Sequence, residues 1–431
     1  MKKQLLALSM VTTSGLIAQP DAPMHKPSHN QSNTCSTCCC FPCCCSNPRP
    51  CIDCECYVPQ FYNLQCDWGF SFDAEFLYWY ARETNLAYAS KIEMKDVDPS
   101  DNSQLAFANQ SYKHLDTDWN PGFRIGIGYN SSCDGWDYNL TWTWFSNKEK
   151  DSTCVPDYGL DSPLLPFVGA EGQSILLNPW INQSFHFLSG QIGDAFNPYV
   201  ISFDRISAKY HLTFNQVDLD VGRRYWLSKC LNMRPYVGLR GAWTRARFST
   251  NSYRTTTVDS EDYALMLNDK FKSKGWGVGF IAGFEPTFYF SQCFGLFAKA
   301  GTGVIWGDFE VDKTEKYSGT NAANTDVVFL TYCNKDHSEH SQMTGLLDLA
   351  LGIRWESTWC CDRYRSAVDL GWEHHIFFDQ NHRYKTVDFF NFTPLSTTAV
   401  VPSTINGYRQ IDEATGNLGF GGFVLRLNFD F

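Results

Sequence analysis

The chain has 431 residues, of which 19% are charged and 16% aromatic, and its formal net charge is −11, from 35 Lys and Arg against 46 Asp and Glu. No basic stripe stands out to neutralise phosphates, which argues against a nucleic-acid partner. Past the first twenty residues no apolar run reaches the roughly 20 residues of a membrane helix, so helical spans are excluded, while spanning strands that alternate apolar and polar side chains remain open.

Met1 to about Ala18 reads as a secretory signal, with Lys2 and Lys3 ahead of the apolar stretch Leu5 to Ala18. Leu16 sits where a small residue is preferred, and the first cysteine, Cys35, lies too far on for a lipidation site. Residues 19–68 are then expected to form an irregular periplasmic segment. Ten of the 18 cysteines crowd into it: Cys35, Cys38, Cys39, Cys40, Cys43, Cys44, Cys45, Cys51, Cys54 and Cys56. Pro42, Pro48 and Pro50 keep this stretch out of helix and sheet interior. Its Cys-x-x-Cys spacings allow zinc, but no histidine partners them and the context is exported. A local disulfide knot meets the difficulty that adjacent cysteines cannot all pair with good geometry. Disulfides to neighbouring envelope proteins, or to copies of the same chain, are the preferred reading, so no metal or other cofactor is expected.

Beyond the cluster, two-residue periodicity marks out strands. Phe70 to Tyr80 places Phe70, Phe72, Ala74, Phe76 and Tyr78 on one face. Phe123, Ile125, Ile127 and Tyr129 return, and a turn at Cys133-Asp134-Gly135 leads into Tyr138, Leu140, Trp142 and Trp144. Turn chemistry and period agree there, which makes the hairpin a strong signal. Ala208 to Leu227 follows, with a change of face near Asn215 and Gln216 that suggests a bulge. Arg234 to Phe248, Gly275 to Phe290, Phe294 to Phe309, Met343 to Trp355 and Tyr364 to Phe378 come next. The last strand starts at Gly416 and puts Phe423, Leu425, Leu427, Phe429 and Phe431 on one face, a pattern like the C-terminal signal of outer-membrane barrels. A soluble sandwich could end in such a strand, but not with the rest of this pattern.

These strands predict an all-β fold, a transmembrane antiparallel up-and-down β-barrel of 10–16 strands over residues 69–431. Short turns alternate with long loops at 82–118, 148–205, 249–273, 311–341 and 379–415, of which 148–205 and 379–415 have room for a further hairpin. Cys66 precedes the first strand, and the short turns hold Cys133, Cys230, Cys293, Cys360 and Cys361; the long loops hold only Cys154 and Cys333. Since barrels have short periplasmic turns and long external loops, the turn cysteines share a side with the cluster and are further disulfide candidates. Cys154 and Cys333 are left open between a cross-loop pair and free thiols.

On the faces read as inward lie Asp73, Glu75, Arg124, Asp137, Lys209, His211, Asp218, Asp220, Arg224, Arg234, Arg240, Glu285, Lys299, Asp348, Arg354, Asp369, Glu373, Arg426 and Asp430. Mixed charge in a polar lumen can narrow and tune a pore, or pair to fill a closed interior. The pore-lining candidates are Glu75, Arg124, Arg234, Arg240, Lys299, Asp348, Arg354, Asp369 and Glu373. Gly275-Trp276-Gly277-Val278-Gly279 lacks the helix and lysine of a phosphate loop. His374 and His375 point oppositely on a strand and cannot share a metal. No nucleophile and base stand in a supporting context, so no catalytic residue is named and no enzyme is expected.

Asp73-Ala74-Glu75-Phe76-Leu77-Tyr78-Trp79 with Ala81 and Glu83, then Pro121-Gly122-Phe123-Arg124-Ile125-Gly126, Arg234-Pro235-Tyr236-Val237-Gly238-Leu239-Arg240-Gly241-Ala242-Trp243 and Gly371-Trp372-Glu373-His374-His375 form an ordered series. From Gly69 to Phe431 it resembles the Legionella-type pore-forming outer-membrane proteins, similar in kind to the major outer-membrane protein-like porins of chlamydia-related bacteria. The resemblance implies a porin passing small hydrophilic solutes in an outer membrane. The cysteine-rich stretch departs from simpler members and looks more like the chlamydial habit of disulfide-linking the envelope. The competing expectation is a structural or adhesive barrel that maintains envelope rigidity without significant conductance; an outer-membrane hydrolase is a third. The partners implied are outer-membrane lipid, disulfide-linked envelope proteins and small solutes, with homo-oligomerisation left open.

Overall fold

The computed structural model describes residues 69–96, 105–131, 135–155, 174–180, 203–228, 230–258, 261–291, 293–321, 324–360, 363–394 and 402–431. The signal, the cysteine cluster and Cys66, Cys133 and Cys361 lie outside these. In chain order the strands are β1 (Phe70–Glu83), β2 (Ala87–Asp96), β3 (Leu105–His114), β4 (Trp119–Asn130), β5 (Trp136–Cys154), β6 (Ser174–Leu177) and β7 (Arg205–Arg223). Then come β8 (Tyr225–Trp226), β9 (Leu231–Val258), β10 (Glu261–Tyr289), β11 (Phe294–Asn321), β12 (Asn324–Trp359), β13 (Tyr364–Pro394) and β14 (Pro402–Asp430).

With the two-residue β8 set aside, the 11-stranded sheet is a closed antiparallel ring of ten: β1, β4, β5, β7, β9, β10, β11, β12, β13, β14 and back to β1. Closure leaves no unpaired edge, the one way a sheet can sit in hydrocarbon. Each strand read from periodicity is present, and the count falls at the bottom of the expected range. β2, β3 and β6 form a separate three-stranded sheet.

The outward face carries the membrane band. Leu140, Leu239, Phe280, Leu351, Leu370 and Leu425 are exposed on it, Phe280 to 75%. Aromatic side chains border the band at both ends: Phe70, Tyr129, Trp136 and Trp355 below, Trp119, Trp142, Trp243, Trp276 and Trp306 above. So continuous an apolar belt suits only lipid.

Three of the expected long loops are instead strand. Across 249–273, 311–341 and 379–415 the barrel strands run on as paired hairpins far beyond the upper tryptophans. The residues that extend β13 and β14 are not an extra hairpin. Above the band the outward side chains turn polar, as in Arg245, Arg247, Ser249 and Asn251, while hydrogen bonding between the strands continues. The switch from lipid to water changes the side chains, not the backbone.

The expected bulge in β7 is also absent. Its register with β5 and β9 runs unbroken, and burial alternates from Arg205 to Arg223 with even-numbered residues inside. The pattern seemed to change face because the inward residues change in kind, from Tyr210, Leu212 and Phe214 to Gln216, Asp218 and Asp220. By the same alternation Lys209 and His211 face outward, not into the lumen.

At the lower end the ring is tied by short contacts: Phe70 N donates to Phe431 O at 3.1 Å, Tyr289 N to Cys230 O at 2.7 Å and Glu356 N to Cys293 O at 2.9 Å. One glycine is dictated by its neighbours. Gly422, at φ +154°, lies against β1 so closely that a Cβ would sit 2.8 Å from Trp79 Cα.

Candidate functional site

The inward face has three storeys, each filled differently. The lowest, inside the membrane band, is ionic. Arg124 on β4 donates to both oxygens of Glu373, at 3.2 and 3.0 Å, to Thr143 at 2.9 Å and to Glu75. Arg426 Nε donates to the other Glu75 oxygen at 2.6 Å and lies 3.5 Å from Asp369, which Arg354 grips with two bonds of 2.8 and 2.7 Å. His375 bridges Glu373 and Asp348, at 3.2 and 2.8 Å. Arg240 pairs with Asp348 at 2.7 Å and forks onto Asp218 at 2.7 and 2.8 Å. Lys299 meets Glu285 at 3.2 Å, and Glu285 meets Arg234, which also holds Asp137 and Asp220.

Every pore-lining candidate named from sequence is in this network, on the inward face and in at least one ion pair. All but Asp369 surround one cavity of about 130 Å³. At roughly 30 Å³ per liquid water, that is room for a few waters. The alternation that placed these residues inside follows from the pleat; their mutual pairing follows from the register, which sets Glu75 opposite both Arg124 and Arg426 and Asp369 opposite both Arg354 and Arg426.

The second storey is apolar and was not anticipated. Trp79, Phe145, Phe214, Phe377 and Phe420 come from five different strands and are at most 2% exposed. Phe420 sits at the centre, with ring centroids 4.6 Å from Phe214, 5.7 Å from Phe145 and 5.9 Å from Trp79. Arg124 lies 5.6 Å from the Trp79 ring and joins this layer to the ions below. The signal was present where apolar residues ran on without alternation, in Phe76-Leu77-Tyr78-Trp79-Tyr80, Trp144-Phe145 and Phe377-Phe378.

The third storey lies above the membrane band, inside the extended hairpins, where a connecting segment folds inward. After β6, Asn178 donates its amide to Thr250, Ser252 and Asp269 at 2.9, 3.0 and 3.1 Å, all inward residues of β9 and β10. Trp180 packs on Phe248 and Phe271, donates Nε1 to Ala87 O at 2.7 Å, and its carbonyl accepts from Lys313 Nζ at 2.9 Å. Residues 174–180 therefore lie against the inner wall of β9, β10 and β11 at the upper end.

Two carboxyls of this storey are pushed up from their ordinary range, chiefly by burial. Glu149 rises to about 7, and Asp269, beside Glu315, rises well above a normal aspartate. A group raised in the folded state gives stability that is present in acid and lost as pH rises through that raised value. Chymotrypsin should therefore cut between β5 and β7 slowly near pH 5 and faster by pH 8, and Asp269→Asn should flatten the trend. A rate ratio no different from that of an unstructured peptide would refute it.

Outside the lumen, Glu310, Asp312 and His337 bring ligand-type atoms within 4.8 Å of one another. His337 lies between Asp312 and Glu339 at 2.8 and 3.3 Å, and the Asp312 hydrogen bond holds its imidazole above the usual range. Lys274 already neutralises Glu310 at 2.9 Å, so the group reads as a surface ion-pair cluster. As read from sequence, His374 and His375 point to opposite sides of β13. Of the cysteines described, Cys230, Cys293 and Cys360 sit at the lower turns, and Cys293 is in a disulfide. Cys154 and Cys333 are exposed free thiols on the upper hairpins.

A family model described as the Legionella pneumophila major outer membrane protein precursor matches residues 65–431. No curated protein sequence matches the chain. Among solved structures, the outer membrane protease OmpT from Escherichia coli is 9% identical, with 88% of this chain and 99% of that one covered at a TM-score of 0.31. A deltaS2S3 mutant of the TodX monoaromatic hydrocarbon channel is 9% identical over 84% of this chain and 91% of its own, at 0.23. A Pseudomonas aeruginosa FadL homologue is 6% identical over 84% and 90%, at 0.20. Likenesses this slight carry no argument about what the chain does.

Proposed function

Because the chain belongs to the Legionella pneumophila major outer membrane protein family, we propose that it is an outer-membrane barrel with a closed lumen, serving the envelope as a structural element and displaying long hairpins on the outside. The observation that carries this reading is the filled interior: paired ions, then an aromatic layer, then the inserted segment at Asn178 and Trp180. A ten-stranded barrel is narrow enough for side chains to fill it. A second reading, diffusion of small hydrophilic solutes, is favoured by the charge-lined cavity of the lower storey. Under it Glu75, Arg124, Arg234, Arg240, Lys299, Asp348, Arg354, Asp369 and Glu373 would line the path.

Planar bilayers decide between the two. Folded protein that inserts without conductance steps supports the closed barrel; regular steps with a reversal potential in a salt gradient would replace it with the porin.

The cysteines give the structural role its means. We place the cluster of residues 35–56 on the periplasmic side, after removal of a signal ending near residue 18, together with the lower turns that carry Cys230, Cys293 and Cys360. Disulfides from the cluster or from Cys230 to neighbouring envelope proteins or to copies of the chain would tie barrels into a sheet, Cys293 being already bonded within the chain. Extracted envelopes should then show high-mass species on non-reducing gels that collapse to monomer with reductant. A monomer band unchanged by reductant would refute the cross-linking.

A further inference from the structure

Four adjacent strands place a cationic face directly above the upper tryptophans. Trp144, Asn215, Trp243 and Trp276 form one rung across β5, β7, β9 and β10. Two rungs higher, on the same outward face, come Lys148, His211, Arg247 and Lys272. Lys150, Lys209, Ser249 and Lys270 follow in the next outward rung, and Arg245 lies between the tryptophans and Arg247. Neighbouring strands are about 4.8 Å apart, so the cationic rung spans roughly 14 Å.

Like charges set directly opposite each other on a sheet are destabilising. Here they are not relieved from within. Lys274 has its own carboxylate, Glu310 of β11, and Asp312, opposite Lys272 in register, is taken by His337, but Lys148, Arg245, Arg247, Lys270 and Lys272 have no ion pair among the described residues. The described outward side chains of these four strands from the tryptophan rung up to Tyr253 include no carboxylate. The imidazole of His211 is held below its ordinary range, by burial and then by Lys148 and Arg247. At the foot of the face, where Asn215 is the small member of the tryptophan rung, a surface concavity of about 1140 Å³ opens between Trp142, Trp243 and Trp276 and reaches Arg245, with Asp308, Glu310 and Glu339 lining its far side on β11 and β12, where they can accept from sugar hydroxyls.

We propose that this face docks a phosphate-bearing glycolipid of the outer leaflet, with its phosphates on Arg245, Arg247, Lys272 and Lys148 and its sugar–acyl junction in the recess between the tryptophans. Height selects the occupant. The recess is level with the aromatic border of the membrane, where lipid headgroups begin, and the cations stand just above it. Guanidinium forks match phosphate oxygens, and lysines supply diffuse positive charge beside them. The proposal rests on the long hairpins facing outward, so that this border meets the outer leaflet.

The test uses the folded, full-length barrel in detergent and native mass spectrometry. It is titrated with bisphosphorylated lipid A, with the same lipid after dephosphorylation, with phosphatidylglycerol and with inorganic phosphate. The first should give a discrete adduct. Arg247→Gln with Lys272→Gln should weaken that adduct about thirtyfold, at the roughly fivefold expected for each basic group at an anionic surface. Lys316→Gln with Lys335→Gln, on the outward face of β11 and β12, should leave it unchanged.

Equal binding by wild type and the Arg247/Lys272 variant would overturn the proposal. So would equal affinity for the dephosphorylated lipid or for phosphatidylglycerol, or displacement by inorganic phosphate. The gel shift between unheated and heated samples reports folding, and the single variant Lys272→Gln, expected to lose about fivefold, serves if the double does not fold. Orientation is measured separately, by protease shaving of the 249–273 hairpin on whole cells, so a reversed barrel and a face with no lipid affinity give different results.

Discussion

Arg124→Leu should cost the barrel about 3–5 kcal/mol, the usual penalty for removing one partner of a buried ion pair. The guanidinium holds Glu75 and Glu373 from the inward face of β4, and the side chains of all three are 10% exposed or less. Leucine would fill much of the space but leave carboxylates facing each other in a cavity that admits only a few waters. Glu75 would keep Arg426, at 2.6 Å, while Glu373 would keep only His375 and a long contact to Arg426 at 3.7 Å. Adding Glu373→Gln to Arg124→Leu should recover part of the loss, since it removes the charge left with the weaker partners. Urea unfolding in lipid vesicles measures both. A cost below about 1 kcal/mol, the range of solvated surface pairs, would mean that water reaches these groups freely, and would favour the diffusion pore.

Phe420→Ala should be nearly as damaging and yet electrically silent. Removing a buried phenylalanine costs about 3–5 kcal/mol, because the surrounding side chains collapse only in part. Phe420 touches Trp79, Phe145, Phe214 and Phe377, so the cavity would open in the middle of the aromatic layer. The ion network would still close the barrel below. No conductance is therefore expected from the folded variant. Stepwise currents from Phe420→Ala but not from wild type would show a single aromatic gate in place of a filled interior.

The ring itself was legible because lipid imposes a strict two-residue period on the outward face. Leu425, Leu427 and Phe429 announce their strand without help from any partner. The ion network was half legible. Periodicity put Glu75, Arg124 and Glu373 inside, but only register could set them opposite one another. Where the rule behind the period changed, reading failed. Above the tryptophans the outward side chains meet water, so Ser249, Asn251 and Lys272 looked like loop. In β7 the inward side chains pass from Phe214 to Gln216, which mimicked a change of face and sent Lys209 and His211 to the wrong side. Asn178 could not have been found at all. Its partners Thr250, Ser252 and Asp269 are 72 to 91 residues away, and nothing local marks an asparagine as an anchor.

The bond from Arg426 to Glu75 crosses the seam where the first and last barrel strands meet, joining groups 351 residues apart in sequence. Because side chains alternate, sliding β14 by one residue along β1 would turn Arg426 toward lipid and Leu425 or Leu427 inward. Only the correct alignment lets the arginine find Glu75, Asp369 and Glu373 together. The charge thus acts as a proofreading key for insertion: a misaligned closure strands a cation in hydrocarbon and should reopen, while the right one locks.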